Sequence, residues 1–181
     1  MIIAETERLR LRNWQESDRD LFFEINSDPE VMAFFPFRRD RADADALFDR
    51  NRQAIADTGY GFFAIGLKET DEPIGFCGLA IPDLAPILPI GTVEIGWRLA
   101  RRHWSKGYVT EAASTLVDLG FQTRDLNEIV SFAVADNQRS ISVMERIGLV
   151  RDIAGDFDHP RVPDTHPHLK RHVLYRLKRP E

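Results

Sequence analysis

Cysteine is nearly absent: it occurs once, as Cys77, so an internal disulfide is excluded. No histidine lies close to Cys77 in sequence, and it reads as a small buried hydrophobe in the strand-like run Ile74 to Ile81 rather than as a nucleophile. No apolar run approaches the ~20 residues needed to cross a bilayer, and the amino-terminal MIIAETERLRLR lacks the long apolar region of a secretory signal, so no membrane association and a cytoplasmic location are expected. Basic charge is outweighed by acidic charge, with a formal net charge of −5, which disfavours a general nucleic-acid binder. No internal period repeats and no Gly/Ser-rich or charge-only stretch marks a linker. The 181 residues, 43% of them hydrophobic, therefore read as one domain over residues 1–181 with a substantial core.

The pattern along the chain alternates strand and helix signals. Glu7 to Arg12 sets Leu9 and Leu11 against three arginines, as a strand with one buried face does. Ser17 and Asp20 resemble a capping box opening a helix with Leu21, Phe22 and Ile25 inward, and Asp28-Pro29 starts a further helical turn that Pro36 ends. A longer helix is expected over Arg41 to Asp57, closed by Gly59. Tyr60 to Lys68 and Pro73 to Ile81 read as a hairpin across the polar turn Glu69 to Glu72. The connection PDLAPILP is too rich in proline for a regular element; it either packs on its own side chains or borders a site.

Thr92 to Ala100 is the next strand, with Val93, Ile95, Trp97 and Leu99 on one face and Glu94, Gly96 and Arg98 on the other. It leads through a basic turn into a helix expected to begin near Lys106 to Val109, where apolar residues start to recur with helical spacing. A helix entered from a polar turn leaves its first N–H groups unpaired, and with the macrodipole these form an anion cradle, beside which Arg101, Arg102 and Lys106 add charge. Ile129 to Val134 is a β-branched run, Asp136-Asn137 caps a short helix stopped by Gly148, and Leu149 to Ile153 and Lys170 to Lys178 read as the last two strands. The loop FDHPRVPDTHPH lies between them. His159, His166, His168 and His172 have no Cys or His-x-x-x-His framework, so no metal is expected. The cluster Phe34-Phe35-Pro36-Phe37 is expected in the core, with the lining of a pocket as the alternative. The element order gives an α+β domain around one mixed, mostly antiparallel twisted sheet flanked by about four to five helices.

The string VEIGWRLARRHWSKGYVTEAA, from Val93 to Ala113, resembles the pyrophosphate-binding motif of the GNAT superfamily of N-acetyltransferases, and the likeness extends from TERLRLR through NQRSISVMERIGLV to HVLYRL. It is most similar to the branch containing the ribosomal-protein N-terminal acetyltransferases. The family's loop, Gln/Arg-x-x-Gly-x-Gly/Ala, corresponds here to Trp104, Gly107 and Val109, so only the central glycine is kept. The resemblance implies a splayed central strand pair, Thr92 to Ala100 against Ile129 to Val134, with acetyl-CoA in the notch as co-substrate. Diverging strands leave N–H and C=O groups that an amide-bearing pantetheine arm can pair with.

On that resemblance Trp97 and Leu99 offer backbone contacts to the arm, and Trp104, Ser105, Lys106, Gly107, Tyr108, Val109 and Thr110 form the phosphate cradle. Asn137 lies near the arm and Ser140 near the sulfur, unless they serve only as cap and first-turn residue. Glu94 matches the family's glutamate and is the expected general base, acting directly or through water, its carboxylate ionised at pH 7 unless burial is severe; the alternative is a salt-bridged or solvent-facing strand residue. Amides near Arg98 and Leu99 are the candidate oxyanion donors. The implied activity is acetyl transfer to a primary amine, either a protein N-terminal α-amino group or a small amine such as an antibiotic or polyamine. A non-catalytic coenzyme A-binding module is the remaining alternative. The chain is expected as a monomer or homodimer.

Overall fold

Leu9 and Leu11 commit the chain near its start to a half-buried strand, and both side chains are fully buried. In the computed structural model, which describes residues 1–180, this strand is β2 (Leu9–Arg12). It pairs antiparallel with an additional strand, β1 (Ile2–Glu5), which has no fully buried residue and so no alternation to announce it. The capping box before the first helix is formed by Gln15 and Asp18, not by Ser17 and Asp20. Asp18 is fixed there because its carboxylate accepts from the Gln15 N–H (2.8 Å) and from both terminal nitrogens of Arg12 (2.6 and 3.1 Å), all at the base of the core. A 3-10 turn over Glu16–Asp18 then leads into α1 (Arg19–Ser27). Asp28 closes a single further helical turn, its carbonyl accepting from the Met32 N–H (3.0 Å).

α2 (Arg41–Thr58) is capped by the Asp40 side chain and ends at Gly59, whose φ of 73° is one that glycine adopts without strain. β3 (Gly61–Leu67), β4 (Pro73–Ala80) and β5 (Glu94–Leu99) follow, then α3 (Tyr108–Thr123), β6 (Glu128–Val134), α4 (Gln138–Arg146), β7 (Val150–Arg151), β8 (Phe157–Asp158) and β9 (Arg171–Lys178). The strand β7 is shorter than Leu149 to Ile153, since Leu149 turns into the core while Val150 and Ile153 are exposed at the sheet edge. β8 is a short strand inside the proline-rich loop, where prolines mask any alternation.

Among the described residues the strands form one sheet in the order β1-β2-β3-β4-β5-β6-β9-β7, with β8 also on β9. Every pair is antiparallel except β5 with β6. α1 and α2 cover one face, where Trp14, Phe22, Phe48 and Phe76 meet edge to face or tilted. α3 covers the other face. Gly120 allows its close approach: a Cβ there would lie 2.9 Å from Ile129 Cδ1. The connection after β4 is not packed on its own side chains alone, because Leu84 and Leu88 are buried against Val130, Phe157 and Leu174.

Candidate functional site

The parallel ladder between β5 and β6 holds for one register pair, Glu94 with Val130. The Val130 N–H donates to the Val93 carbonyl (3.0 Å), after which the strands part. At the fork the buried Ser131 hydroxyl donates to the Ile95 carbonyl (2.8 Å) in place of a backbone donor. Strand alternation decides which groups face the gap. The Ala100 N–H bonds to the Ile74 carbonyl (3.0 Å) and Arg98 is registered with Phe76, so the even-numbered amides of β5 are spent on β4. The amides of Trp97 and Leu99 therefore face the gap, whereas that of Arg98 does not, which corrects its assignment as an oxyanion donor.

At the far end of the gap Gly107, with φ 79°, caps α3, and Ser105 also has a positive φ of 61°. The first N–H to return into the helix is that of Glu111, donating to the Gly107 carbonyl (3.1 Å). Among the described residues nothing accepts from the backbone N–H groups of Ser105 through Thr110, which leaves a run of donors at the positive end of the helix dipole. The flanking charges differ from the expected set. Arg101 pairs with Glu30 and Arg102 with Glu24, both away from the cradle. Lys106 does not line the cleft, and its carbonyl accepts from Arg8 Nη1 (3.1 Å). Arg139, at the start of α4, lies 4.1 Å from the ring centroid of Trp104 and does line it.

α4 begins where Asn137 Oδ1 accepts from the Ser140 N–H (3.3 Å), so Asn137 is a helix cap whose amide nitrogen is left for other partners. Asn137 and Ser140 line the same cleft as Glu94, Trp97, Leu99, Trp104, Ser105, Gly107, Tyr108, Val109 and Thr110. Its volume is about 1290 Å³, above the roughly 300–1,000 Å³ usual for drug-sized ligands.

Glu94 sits at the fork. Burial pushes its carboxyl up to about 7, partly countered by the charge of Arg161. Among the described residues it is neither salt-bridged nor fully solvent-facing, and with its carboxyl held above the ordinary carboxylate range it is not wholly ionised at neutral pH. Arg161 itself pairs with Asp83 (2.9 Å). Beside Glu94's end of the cleft, His159 and His172 lie 4.8 Å apart between ring centroids, among Phe132 and Phe157. Burial, with the nearby His172 and Arg161, depresses His159 to about 4, so it is neutral and a weaker base than Glu94 at pH 7. The phenylalanine cluster is core only in part: Phe34 packs against Val134, Val162 and Leu169, whereas Phe35 is 40% and Phe37 46% exposed, and all three line the cleft. The two prolines and short turns around them leave no helix or strand to carry them inward.

Sequence reading gave no role to the side chains of Arg98, Ser131 and Arg139. Arg98 shares the strand face of Glu94 by simple alternation, which was a legible signal; Ser131 and Arg139 become meaningful only once the fork and the Trp104 ring are in place.

The family model described as Acetyltransferase (GNAT) domain matches residues 8–150. The chain is 36% identical over 155 residues to the uncharacterized N-acetyltransferase p20 of Bacillus licheniformis, covering 81% of this chain and 84% of that protein. Among solved structures it is similar to an acetyltransferase from Agrobacterium tumefaciens, at 30% identity with a TM-score of 0.74, over 96% of this chain and 92% of that one. It is also similar to a GNAT family acetyltransferase from Bacillus anthracis, at 25% identity with a TM-score of 0.80, over the whole of both chains.

Proposed function

The chain belongs to the acetyltransferase (GNAT) family and is an N-acetyltransferase, and from that premise we propose that it moves the acetyl group of acetyl-CoA directly to a primary amine held beside Glu94. The observation that carries this reading is the fork: one parallel register pair ends at Glu94, and unpaired donors line the gap from there to the start of α3. The backbone of Trp97 and Leu99 pairs with the pantetheine arm, while the N–H groups of Ser105 to Thr110 hold the pyrophosphate with Arg139 nearby.

Glu94, as carboxylate, takes one proton from the bound acceptor ammonium, directly or through one water, and the neutral amine so formed attacks the thioester carbonyl. A Trp97 or Leu99 N–H donates to the oxygen of the tetrahedral intermediate. Ser140 donates to the sulfur as the carbon–sulfur bond breaks, the proton that the acceptor nitrogen loses on forming the amide passes to that sulfur directly or through water, and coenzyme A departs as the thiol. An α-amino group, with a pKa of ~8, asks less of this base than a lysine at ~10.4, so a protein N-terminal α-amino group is the first acceptor to test beside small amines.

The test is incubation with acetyl-CoA and a mixed panel of free-amine peptides and small amines, following thiol release and the mass of the acceptor. Amine-dependent thiol release with a matching acetylated product supports the reading. Thiol release by hydrolysis alone, with no acetylated amine, overturns it.

A further inference from the structure

On the face of β5 that carries Glu94, Gly96 contributes no side chain and the ring of Phe62 lies over it; a Cβ at Gly96 would stand 2.9 Å from that ring. Arg98 follows on the same face, so its Cα is ~13 Å along the strand from that of Glu94. The two charged side chains thus stand at opposite ends of a trough floored by Phe62, and all of these residues line the cleft.

Arg98 is short of partners. Its guanidinium lies 4.4 Å from the ring centroid of Phe35 and 5.3 Å from that of Phe76. Among the described residues its side chain makes one hydrogen bond, Nη1 to Asn26 Oδ1 (2.6 Å), and Asn26 is a neutral side chain, 1% exposed and tied to the Phe22 carbonyl through Nδ2 (2.7 Å). Arg39 sits beside it: its backbone N–H donates to the Asn26 carbonyl (2.9 Å), its guanidinium lies over Phe37, and its Nε is buried without a partner. Among the described residues no carboxylate is within ion-pair distance of either arginine. The cleft's carboxylates are taken elsewhere, Glu30 by Arg101, Asp83 by Arg161 and Glu111 by Arg8, which leaves Glu94. Burial and the charge of Arg39 together pull Arg98 down to about 10, the sign of a cation that lacks an anion. Arg98 is a half-buried guanidinium whose remaining donors face the cleft, and its planar fork suits a carboxylate, which would supply the missing countercharge.

Resting on the acceptor reading above, we propose that the acceptor is an amine that also carries an oxyanion, bound with its amine toward Glu94 and its anion on Arg98, with Arg39 behind. Polycationic amines are disfavoured by the same pair of charges. The oxyanion belongs either to a small amino acid-like molecule or to the acidic first residues of a protein N-terminus.

The experiment compares kcat/KM for matched acceptors: free amino acids against their amides, short peptides beginning with an acidic residue against their Asn or Gln counterparts, and spermidine. The amide of an amino acid has the less basic amine, so chemistry alone favours it and a preference for the acid reports recognition. The expected result is a preference of about tenfold or more for the oxyanion-bearing member in one of the two arms, the size of one charge-assisted contact. That arm identifies the source. Arg98→Gln and, to a smaller degree, Arg39→Gln should bring the ratio toward one while the KM for acetyl-CoA stays unchanged. Equal rates within every pair, or best turnover with spermidine, overturn the inference and leave N-acetyl transfer standing. Absence of acetylated product from any amine overturns the acceptor reading and this inference with it.

Discussion

The Ser131 hydroxyl holds the Ile95 carbonyl at 2.8 Å, where the next backbone donor of a parallel ladder would stand. The first carbonyl left without a ladder partner at the fork between β5 and β6 is therefore satisfied by a side chain. Ser131→Ala leaves a buried carbonyl without its donor, and stability should fall by about 1–3 kcal/mol. A urea midpoint indistinguishable from wild type would mean that water replaces the hydroxyl at no cost.

Asp18 and Arg12 form a two-bond ion pair with both partners almost fully buried, away from the cleft. Asp18→Asn removes the buried charge facing Arg12 and leaves it only Asp71, 3.7 Å from its Nε, so the change should cost up to about 3–5 kcal/mol. Chemical denaturation measures the loss, while kcat/KM of the folded fraction should hold. A loss of activity larger than the loss of folded protein would show that the pair supports the site and not only the fold.

Gly107 holds φ at 79° at the start of α3, with open space on its Cβ side apart from Arg8 at 3.5 Å. Gly107→Glu adds a left-handed strain of about 1–2 kcal/mol and sets a carboxylate where the pyrophosphate approaches. Titration calorimetry with coenzyme A should show weaker binding by about tenfold or more. Unchanged affinity in a folded variant would place the pyrophosphate elsewhere.

Ser140 gives its N–H to Asn137 and keeps its hydroxyl free for the cleft. Ser140→Ala should lower kcat by about 10- to 100-fold, since a hydrogen bond to sulfur strengthens as negative charge develops there, and should barely move the KM for acetyl-CoA. A change in KM alone would assign the hydroxyl to ground-state binding.

The raised carboxyl of Glu94 also fixes a sign for stability. Its folded-state value lies above the ordinary carboxylate range, so the native state binds the extra proton, and stability falls as pH rises from about 4.5 to about 7. Glu94→Gln removes that penalty. The variant should match wild type near pH 4 and exceed it at pH 8 by at most about 3 kcal/mol, less to the extent that water reaches the group. Thermal unfolding at the two pH values measures the difference, and a constant offset between the proteins would contradict it.

Much of this was legible in the sequence because strand alternation and helix caps are local. Glu94, Trp97, Gly107 and Asn137 each sit in an element whose period or cap names its neighbours. What escaped depends on long-range packing. β1 has no buried residue to give it a pattern, and the cap at Gln15 and Asp18 is selected by Arg12 on another strand. Arg101 and Arg102 were read as cradle charges because proximity in sequence suggested it, whereas the exposed Glu30 and Glu24 draw them away. The ionisation of Glu94 is set by how completely the fork and the loops around Asp83 and Arg161 enclose it, which no local pattern encodes.

The most direct measurement is the pH profile of kcat/KM for wild type and Glu94→Gln, with one primary amine that the enzyme acetylates as acceptor. Wild type should show a limb rising through about pH 7, from the ionisation of Glu94, below any limb due to the acceptor's own amine. Glu94→Gln should lose that lower limb, fall by about 10²–10⁴-fold near neutral pH, and recover part of the loss at higher pH as the acceptor loses its proton unaided. A variant that keeps the limb near pH 7, or whose deficit is the same at every pH, would contradict Glu94 as the base.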